Sequence, residues 1–152
     1  MREEALTCDQ RRLVEAARAV APRAYAPYSR FPVGAAVLGG SGAVHVGVNV
    51  ENASYPVTLC AERNAVGSAL AAGERAIRAV AVAPGDDSVK TVMPCGMCRQ
   101  FLAEFGLGIE VIVLQDGRWT VQPLAALLPA AFSLGADRGP GICRPKRSEE
   151  CE

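Results

Sequence analysis

Residues 60–83 have the sequence CAERNAVGSALAAGERAIRAVAVA, and this stretch predicts a helix followed by a strand. The alanine-rich run over 60–72 favours a helix, and Gly73 is placed to end it, as glycine commonly does after a last helical turn. The run over 77–83 is short and almost entirely apolar, which is typical of a strand buried on both faces of a sheet. The stretch therefore predicts an α/β unit in which a helix packs on an interior strand.

Helices and strands alternate on both sides of this stretch. Thr7 and Gln10 can form a capping box, which predicts a first helix that ends near Ala21, before Pro22. Further strands are predicted over 33–38, 44–50, 110–114 and 119–121, and further helices over 94–105 and 124–128. This order predicts a three-layer α/β/α sandwich around one mixed sheet of about five strands.

The chain of 152 residues has the length of one domain, and we expect the sandwich to occupy residues 1–134. Glycine, proline and charged residues dominate residues 135–152, which are expected to form a flexible tail. The chain starts with Met1-Arg2-Glu3-Glu4 and lacks the basic and apolar segments of a secretory signal. No apolar run approaches the roughly 20 residues that span a membrane. We therefore expect a cytoplasmic protein without a membrane partner.

The charge balance bears on the class of partner. Sixteen basic residues match sixteen acidic ones, so the formal net charge is zero at pH 7. Nucleic-acid binding draws on many lysine and arginine side chains that neutralise phosphates. The balance therefore argues against a nucleic-acid partner.

The chain has one histidine and six cysteines, which are Cys8, Cys60, Cys95, Cys98, Cys143 and Cys151. In a cytoplasmic protein, these cysteines are expected to be reduced thiols or metal ligands rather than disulfides. His45 lies between two valines in a predicted strand and is expected to face solvent. A catalytic triad would depend on this one histidine. For the same reason, a metal site must draw its ligands mainly from Cys, Asp or Glu.

Two cysteine segments carry the chemistry, namely Cys60-Ala61-Glu62 and the segment CGMC over 95–98. Both begin predicted helices, where backbone N–H groups and the helix dipole lower the pKa of a thiol. If the two helix starts meet, the thiolates of Cys60, Cys95 and Cys98 surround one zinc ion and leave its fourth position open, as in catalytic zinc sites. Glu62 is then the candidate to take a proton from zinc-bound water and pass it on.

The charge of such a site needs compensation. Zinc with three thiolates carries one net negative charge, which weakens it as a Lewis acid. Arg63 directly follows Glu62, and we expect its guanidinium to hydrogen-bond the ligand thiolates and offset that charge. The alternative for Arg63 is an ordinary surface position on a helix.

Five segments of the chain are YAPYSRFPVGAA (25–36), NVENASY (49–55), CAERNA (60–65), PCGMCRQ (94–100) and LLPAAF (127–132). In this order they resemble segments of the cytidine deaminase family, specifically its short-chain branch with three zinc-binding cysteines. Together they span most of the chain from Tyr25 to Phe132. A lone Cys-x-x-Cys pair would be weak evidence, whereas five ordered segments are strong evidence.

The resemblance implies an enzyme of pyrimidine salvage that hydrolyses the 4-amino group of cytidine and 2′-deoxycytidine and releases ammonia. It implies one zinc ion per subunit, held by Cys60, Cys95 and Cys98. It further implies that Glu62 protonates ring N3 as zinc-bound hydroxide attacks C4, and that Glu62 then delivers a proton to the leaving amine. The backbone at Ala61 and at Cys95 would contact the edge of the base.

The resemblance also implies how a nucleoside binds. Asn49 and Glu51 match a pair that contacts the 3′-hydroxyl, and Phe31 matches an aromatic residue that packs on the base. Asn49 and Glu51 lie two positions apart at a predicted strand end, so both side chains face the same way, and a carboxylate accepts a hydrogen bond from a sugar hydroxyl. From the residues alone, a solvated strand end for the pair and a core position for Phe31 stay open.

For Tyr55 and Phe132 the resemblance implies a place in the pocket of a neighbouring subunit, within a homotetramer. Aromatic residues anchor interfaces as well as cores. A simple core position for Phe132 therefore remains an alternative.

Rival functions fit parts of the sequence. Blasticidin-type antibiotic deaminases share the cysteine framework, but Arg63 and the pair Asn49 and Glu51 favour the nucleoside enzyme. Deaminases that edit RNA or DNA usually carry histidine where Cys60 stands, and the zero net charge also disfavours them. A zinc-stabilised binding module normally has four protein ligands, whereas only three motif cysteines are evident and Glu62 would have no role.

Overall fold

A computed structural model of the protein describes residues 6–134. Its helices are α1 (Cys8–Val20), α2 (Ala61–Ala71), α3 (Gly96–Ala103) and α4 (Leu124–Leu127). Its strands are β1 (Val33–Gly39), β2 (Val44–Val48), β3 (Ile77–Pro84), β4 (Glu110–Gln115) and β5 (Arg118–Pro123). The capping box at Thr7 is present, since its hydroxyl accepts from the Gln10 N–H and the Gln10 side chain accepts from the Thr7 N–H. The predicted order of elements is confirmed.

The five strands form one mixed sheet in the order β2-β1-β3-β4-β5. β3 and β4 pair in parallel, and the other neighbours pair antiparallel. β3 lies at the centre, where every residue except Arg78 is buried, because both faces of the strand are covered. The predicted five-stranded mixed sheet is therefore confirmed.

Two apolar layers cover the two faces of this sheet. Successive strand residues point to opposite faces, so Val80 and Val82 pack with α2, while Ala79 and Ala81 pack with α1. The layer on the α2 face also includes Leu102 of α3 and Leu124 of α4. The predicted three-layer α/β/α sandwich is confirmed.

Several element boundaries differ from the prediction by one or two residues. The strand predicted over 44–50 ends at Val48, and only Val50 makes isolated bridges beyond it, to Tyr25 and Leu59. The helix predicted over 94–105 begins at Gly96 and ends at Ala103. Between β2 and α2 the chain forms one 3₁₀ turn, Tyr55–Val57.

The prediction that His45 faces solvent is wrong. Val44 packs on the α1 side of the sheet, so its neighbour His45 points to the α2 side, and the His45 side chain is only 16% exposed. Its Nε2 lies 3.7 Å from a carboxylate oxygen of Glu74, which follows α2. The Glu74 carboxylate also accepts hydrogen bonds from the N–H and the hydroxyl of Ser41 in the β1–β2 turn. Glu74 therefore connects the end of α2 to the hairpin.

No helix in the part of the chain that the structure describes is long and apolar enough to cross a membrane. The predicted tail over 135–152, with Cys143 and Cys151, lies outside the described residues.

Candidate active site

Two helices begin side by side at cysteines. Cys60 is the N-cap of α2 and Cys95 is the N-cap of α3, and neither helix end is capped by a side-chain hydrogen bond. The Sγ atoms of Cys60 and Cys95 lie 3.9 Å apart. Cys98, on the first turn of α3, is fully buried, and all three Sγ atoms lie within 4.8 Å of one another. The fold thus brings the three predicted ligands to one point.

The donor set fits a zinc ion. Zinc is bound by thiolates in tetrahedral geometry with Zn–S distances of about 2.3 Å, which places two ligand sulfurs about 3.8 Å apart. The separation of 3.9 Å between Cys60 and Cys95 agrees with this spacing. Among residues 6–134, these cysteines are the one group of three or more metal-binding side chains close enough to share an ion.

The thiols interact strongly with one another. Interaction with the Cys98 thiol lowers the pKa of Cys60 to about 5, and Arg63 and Cys95 contribute to the same effect. The pKa of Cys98 is raised, first by its interaction with Cys60 and then by burial. The mutual interaction of the two thiols thus favours the thiolate at Cys60 and the thiol at Cys98. A thiolate at a helix N-terminus is already the form that binds a metal.

Glu62 lies on the first turn of α2, two residues after Cys60, and is only 4% exposed. Burial raises the pKa of Glu62 to about 7, and the negative charge of Cys60 acts in the same direction. Glu62 can therefore hold or release a proton near neutral pH, directly beside the cysteine cluster. Ala61, the first residue of α2, is also buried, and its N–H is among those that a helix leaves without an intrahelical partner.

Arg63 has a defined position beside the thiols. Its Nη2 donates to the Thr58 carbonyl at 3.0 Å, just before Cys60 in the chain. Its Nε is buried, and no acceptor among the described residues lies within hydrogen-bond distance of it. Interaction with Cys60 raises the pKa of the guanidinium. Arg63 therefore lies close enough to Cys60 to interact with its thiol.

Asn49 and Glu51 were predicted at the end of a strand over 44–50, and they lie just beyond the end of β2 at Val48. The Asn49 amide accepts from the Val33 N–H at 2.8 Å and donates to the Phe31 carbonyl at 3.0 Å. One Oε atom of Glu51 accepts from the N–H groups of Tyr28 and Ser29. These bonds, with the Ser29 side chain as the largest cause, lower the pKa of Glu51.

The two side chains thus hold the loop that carries Phe31. Phe31 is 39% exposed, so the alternative of a core position is wrong. An amide nitrogen has two hydrogens and each carboxylate has two oxygens, so both Asn49 and Glu51 keep hydrogen-bonding capacity for a ligand.

The two aromatic residues with a predicted role at an interface are exposed. Tyr55 is 68% exposed and meets Tyr28 edge to face, with ring centroids 6.0 Å apart. Phe132 is 69% exposed, so a core position for it is excluded within this chain. The Gln100 side chain donates to the Phe132 carbonyl and accepts from the Phe132 N–H, and this pair of bonds holds the segment in place.

Two contacts of the site were not predicted from the sequence. One is the Gln100 contact with Phe132, and the other is a hydrogen bond from Asn64 to the Val48 carbonyl. Both residues lie inside quoted segments, but their partners are backbone atoms far along the chain. A side chain that bonds to a distant backbone atom leaves no residue pattern at the partner position.

Comparisons with known proteins agree with the site. A family model described as "Cytidine and deoxycytidylate deaminase zinc-binding region" matches residues 7–115. A cytidine deaminase of Sporosarcina psychrophila is 41% identical over 127 residues, which cover 82% of this chain and 92% of the relative. One from Mycobacterium tuberculosis is 48% identical over 111 residues, which cover 73% of this chain and 80% of the relative. The crystal structure of cytidine deaminase from Burkholderia pseudomallei superimposes with a TM-score of 0.74 at 45% identity, covering 84% of this chain and all of that one.

Proposed function

Because this chain belongs to the cytidine and deoxycytidylate deaminase family of zinc hydrolases, we propose that it hydrolyses the 4-amino group of cytidine and 2′-deoxycytidine. The products would be uridine or 2′-deoxyuridine and ammonia. The observation that carries the proposal is the convergence of three thiols within 4.8 Å beside the buried carboxyl of Glu62. The proposed enzyme acts on nucleosides, and we assign its activity to residues 1–134.

Cys60, Cys95 and Cys98 would hold the zinc ion, one per subunit. Three protein ligands are typical of catalytic zinc, which keeps a fourth position open. Zinc bound there would act as a Lewis acid and lower the pKa of a coordinated water towards neutrality. The buried position of Cys98 and the start of each helix at a cysteine would keep the ligands fixed.

Glu62 would carry the protons of the reaction. Its carboxyl lies beside the cysteines with a pKa of about 7, which suits a group that must both accept and donate a proton near neutral pH. We assign to it the protonation of ring N3 during attack at C4, and the later delivery of a proton to the leaving amine. The backbone at Ala61 and at Cys95 would contact the edge of the base.

Asn49, Glu51 and Phe31 would bind the rest of the nucleoside. Asn49 and Glu51 would contact the 3′-hydroxyl with the donors and acceptors that their loop contacts leave free. Phe31, at the surface of the same loop, would pack on the base. Because Asn49 and Glu51 also hold this loop, sugar and base recognition would depend on one another.

The proposed reaction is tested by following cytidine absorbance with zinc-loaded protein. We expect cytidine to disappear and ammonia to be released in equal amount, and excess chelator to stop both. A parallel reaction with blasticidin S separates the nucleoside enzyme from the antibiotic deaminase. No loss of cytidine would reject the proposal.

Replacing Arg63 with alanine is expected to weaken zinc retention and shift the pH profile of turnover. Arg63 would compensate the charge of three thiolates, and its unpartnered Nε offers a donor to them. Loss of a group that hydrogen-bonds metal ligands costs about 10–100-fold in affinity or activity. Zinc content after dialysis and rate against pH are the measurements. Arg75→Ala is the control, because Arg75 bonds to the carbonyls of Leu70 and Glu74, at and just beyond the far end of α2. Unchanged zinc retention and pH profile in the Arg63 variant would remove its proposed role.

A homotetramer with active sites completed by neighbouring subunits is the assembly we propose. Exposed apolar side chains support it, including Tyr25, Tyr55, Val57, Leu59 and Phe132. Contiguous exposed apolar side chains commonly mark protein–protein contacts. Phe132 is supported on its backbone by Gln100 while its ring stays free to reach a neighbour.

Phe132→Ala is expected to raise KM for cytidine about ten-fold without loss of zinc, as expected for truncation of an aromatic anchor. Leu134→Ala is the control, because Leu134 is 90% exposed in the same segment. Sedimentation of the wild type and both variants reports the oligomeric state. A fully active monomeric wild type would contradict the proposed assembly.

We also infer roles for the protein in the cell. Deamination of a nucleoside leaves its sugar–base bond intact, so the product remains usable as a nucleoside, and this supports a place in pyrimidine salvage. A cytoplasmic location is proposed from the cysteines, which are expected to remain reduced thiols or metal ligands.

A further inference from the structure

Asn64 connects the helix of the cysteine site to the strand that leads to Asn49. Asn64 lies on the first turn of α2, four residues after Cys60. Its Nδ2 donates to the carbonyl of Val48, the last residue of β2, at 2.7 Å. This carbonyl belongs to the peptide bond between Val48 and Asn49. Because β2 is an edge strand, a carbonyl on its open side has no partner strand, and the Asn64 side chain satisfies this one.

Gly47 brings the same strand into direct contact with the same helical turn. A Cβ atom at Gly47 would lie 2.3 Å from the Ala65 nitrogen and 2.6 Å from the Ala61 carbonyl oxygen. Both are backbone atoms, so a side chain at this position would force the strand and the helix apart. The spacing between β2 and the start of α2 is therefore set by backbone contact, and the Asn64 hydrogen bond holds that contact closed.

The two ends of this connection carry the two halves of the proposed site. The first turn of α2 carries Glu62 and follows Cys60, whereas the chain beyond Val48 carries Asn49 and Glu51. In any one bound conformation of a nucleoside, C4 of the base and the 3′-hydroxyl lie at a defined separation, which the two ends of the site must match. A misplacement of about 1 Å can cost roughly 100-fold in rate.

We propose that Asn64 is a positioning residue that sets the distance between the cysteine–Glu62 end and the sugar-binding end of the site. The proposal rests on the proposed nucleoside deamination and extends it. This hydrogen bond holds the sugar-binding residues at the distance from Glu62 at which contacts to the sugar also position the base for reaction. Asn64 therefore determines how strongly the enzyme prefers a substrate with sugar hydroxyls.

The test compares cytidine with 2′,3′-dideoxycytidine, which lacks the 2′- and 3′-hydroxyls, as substrates of wild type, Asn64→Ala and Ser68→Ala. We expect the wild type to prefer cytidine in kcat/KM. Asn64→Ala should lower kcat/KM for cytidine about ten-fold, mainly through KM, and should leave that for dideoxycytidine nearly unchanged. Ser68→Ala should behave as wild type, because the Ser68 hydroxyl bonds only to the Asn64 carbonyl within the same helix. Zinc content should be the same in all three proteins.

The outcomes separate this proposal from the one it rests on. A wild type that does not deaminate cytidine overturns the proposed function. A wild type that deaminates both substrates equally well overturns the proposed sugar contacts. In either case the role of Asn64 is overturned as well. A wild type that prefers cytidine, with an Asn64→Ala variant that retains the preference, overturns the positioning role alone. An equal loss for both substrates does the same, because it indicates only a structural role. If Asn64→Ala does not fold, the isosteric Asn64→Asp, which cannot donate to the Val48 carbonyl, is judged by the same criteria.

Discussion

Replacing Glu62 with glutamine is expected to abolish almost all turnover of cytidine and to leave a folded protein that binds zinc. Glutamine has nearly the same shape as glutamate, but it neither takes up nor releases a proton near neutral pH. Proton transfer by a positioned side chain typically contributes about 10²–10⁴-fold to the rate, and turnover should fall by that factor. Steady-state kcat, zinc content and circular dichroism check the three parts of this expectation.

The stability of this variant is a second measurement. Glu62 is 4% exposed, and a buried carboxyl is costly to ionise, as its raised pKa indicates. Glutamine removes that cost, so the melting temperature should not fall. If the variant lost its fold together with its activity, the result would count against a purely chemical role of Glu62. Near-normal activity would refute the role of Glu62 as proton shuttle.

Glu74→Gln is the matched control for this experiment. Glu62 and Glu74 are the two buried carboxyl residues among residues 6–134, and they lie at opposite ends of α2. Glu74 bonds to Ser41 and faces His45, away from the cysteines. Its replacement should lower thermal stability, because the hairpin loses acceptors, but zinc content and kcat should stay near the wild-type values. The contrast isolates proton transfer from the general effect of removing a buried charge.

Cys98→Ser is expected to produce a protein that neither retains zinc nor deaminates cytidine. Cys98 is fully buried on the first turn of α3, and its Sγ is one of the three that converge. A serine hydroxyl is far less acidic than a thiol, so it makes a poor zinc ligand. Loss of a group that only supports the ligands costs about 10–100-fold, so loss of a ligand should cost more than about 100-fold in zinc affinity.

Cys8→Ser is the control for the zinc experiment, because Cys8 is exposed at the start of α1 and lies outside the cluster. Zinc added to the metal-free wild type should raise its melting temperature, since a ligand that binds only the folded state stabilises it. The Cys8 variant should show the same rise, and the Cys98 variant should show none. A Cys98 variant that binds zinc as tightly as the wild type would disprove the three-cysteine site.

The two helix N-termini help to explain how a candidate zinc site can consist of cysteines alone, with no oxygen ligand and no histidine. Each helix starts at a cysteine, and neither helix end is satisfied by a capping side chain. Backbone N–H groups and the helix dipole favour negative charge at both starts. Arg63 adds a positive charge from the side of Thr58. The local environment therefore favours a thiolate at Cys60, in agreement with the lowered pKa of that residue.

Most of the fold could be predicted because its signals are local. The capping box at Thr7, the apolar run of β3 and the glycine after α2 each act within a few residues, so a pattern in the chain suffices. The spacing of Cys95 and Cys98 belongs to one helical turn and is equally local. These signals predicted the order of elements, the three layers and the set of possible zinc ligands.

Tertiary contacts decided the features that depend on residues distant in the chain. His45 was predicted to face solvent, yet it faces Glu74, because the chain after α2 returns over the sheet at that point. Asn49 and Glu51 were predicted at the end of a strand, yet the pairing stops at Val48, and their side chains hold the loop of Phe31 instead. No pattern of period two or 3.6 encodes such contacts.

The candidate site also combines features that the local sequence predicts with features that tertiary contacts decide. The identity of Cys60, Cys95 and Cys98 as a group is visible in their types and spacing, because thiols near helix starts readily form the thiolates that bind zinc. Their approach to within 4.8 Å and the burial of Glu62 exist only after α2 and α3 pack on one sheet. The bond between Asn64 and Val48 arises in the same way, since it joins a side chain to a backbone carbonyl 16 positions earlier in the chain. Residue type thus specifies which groups can act, and packing sets the distances and the burial that let them act together.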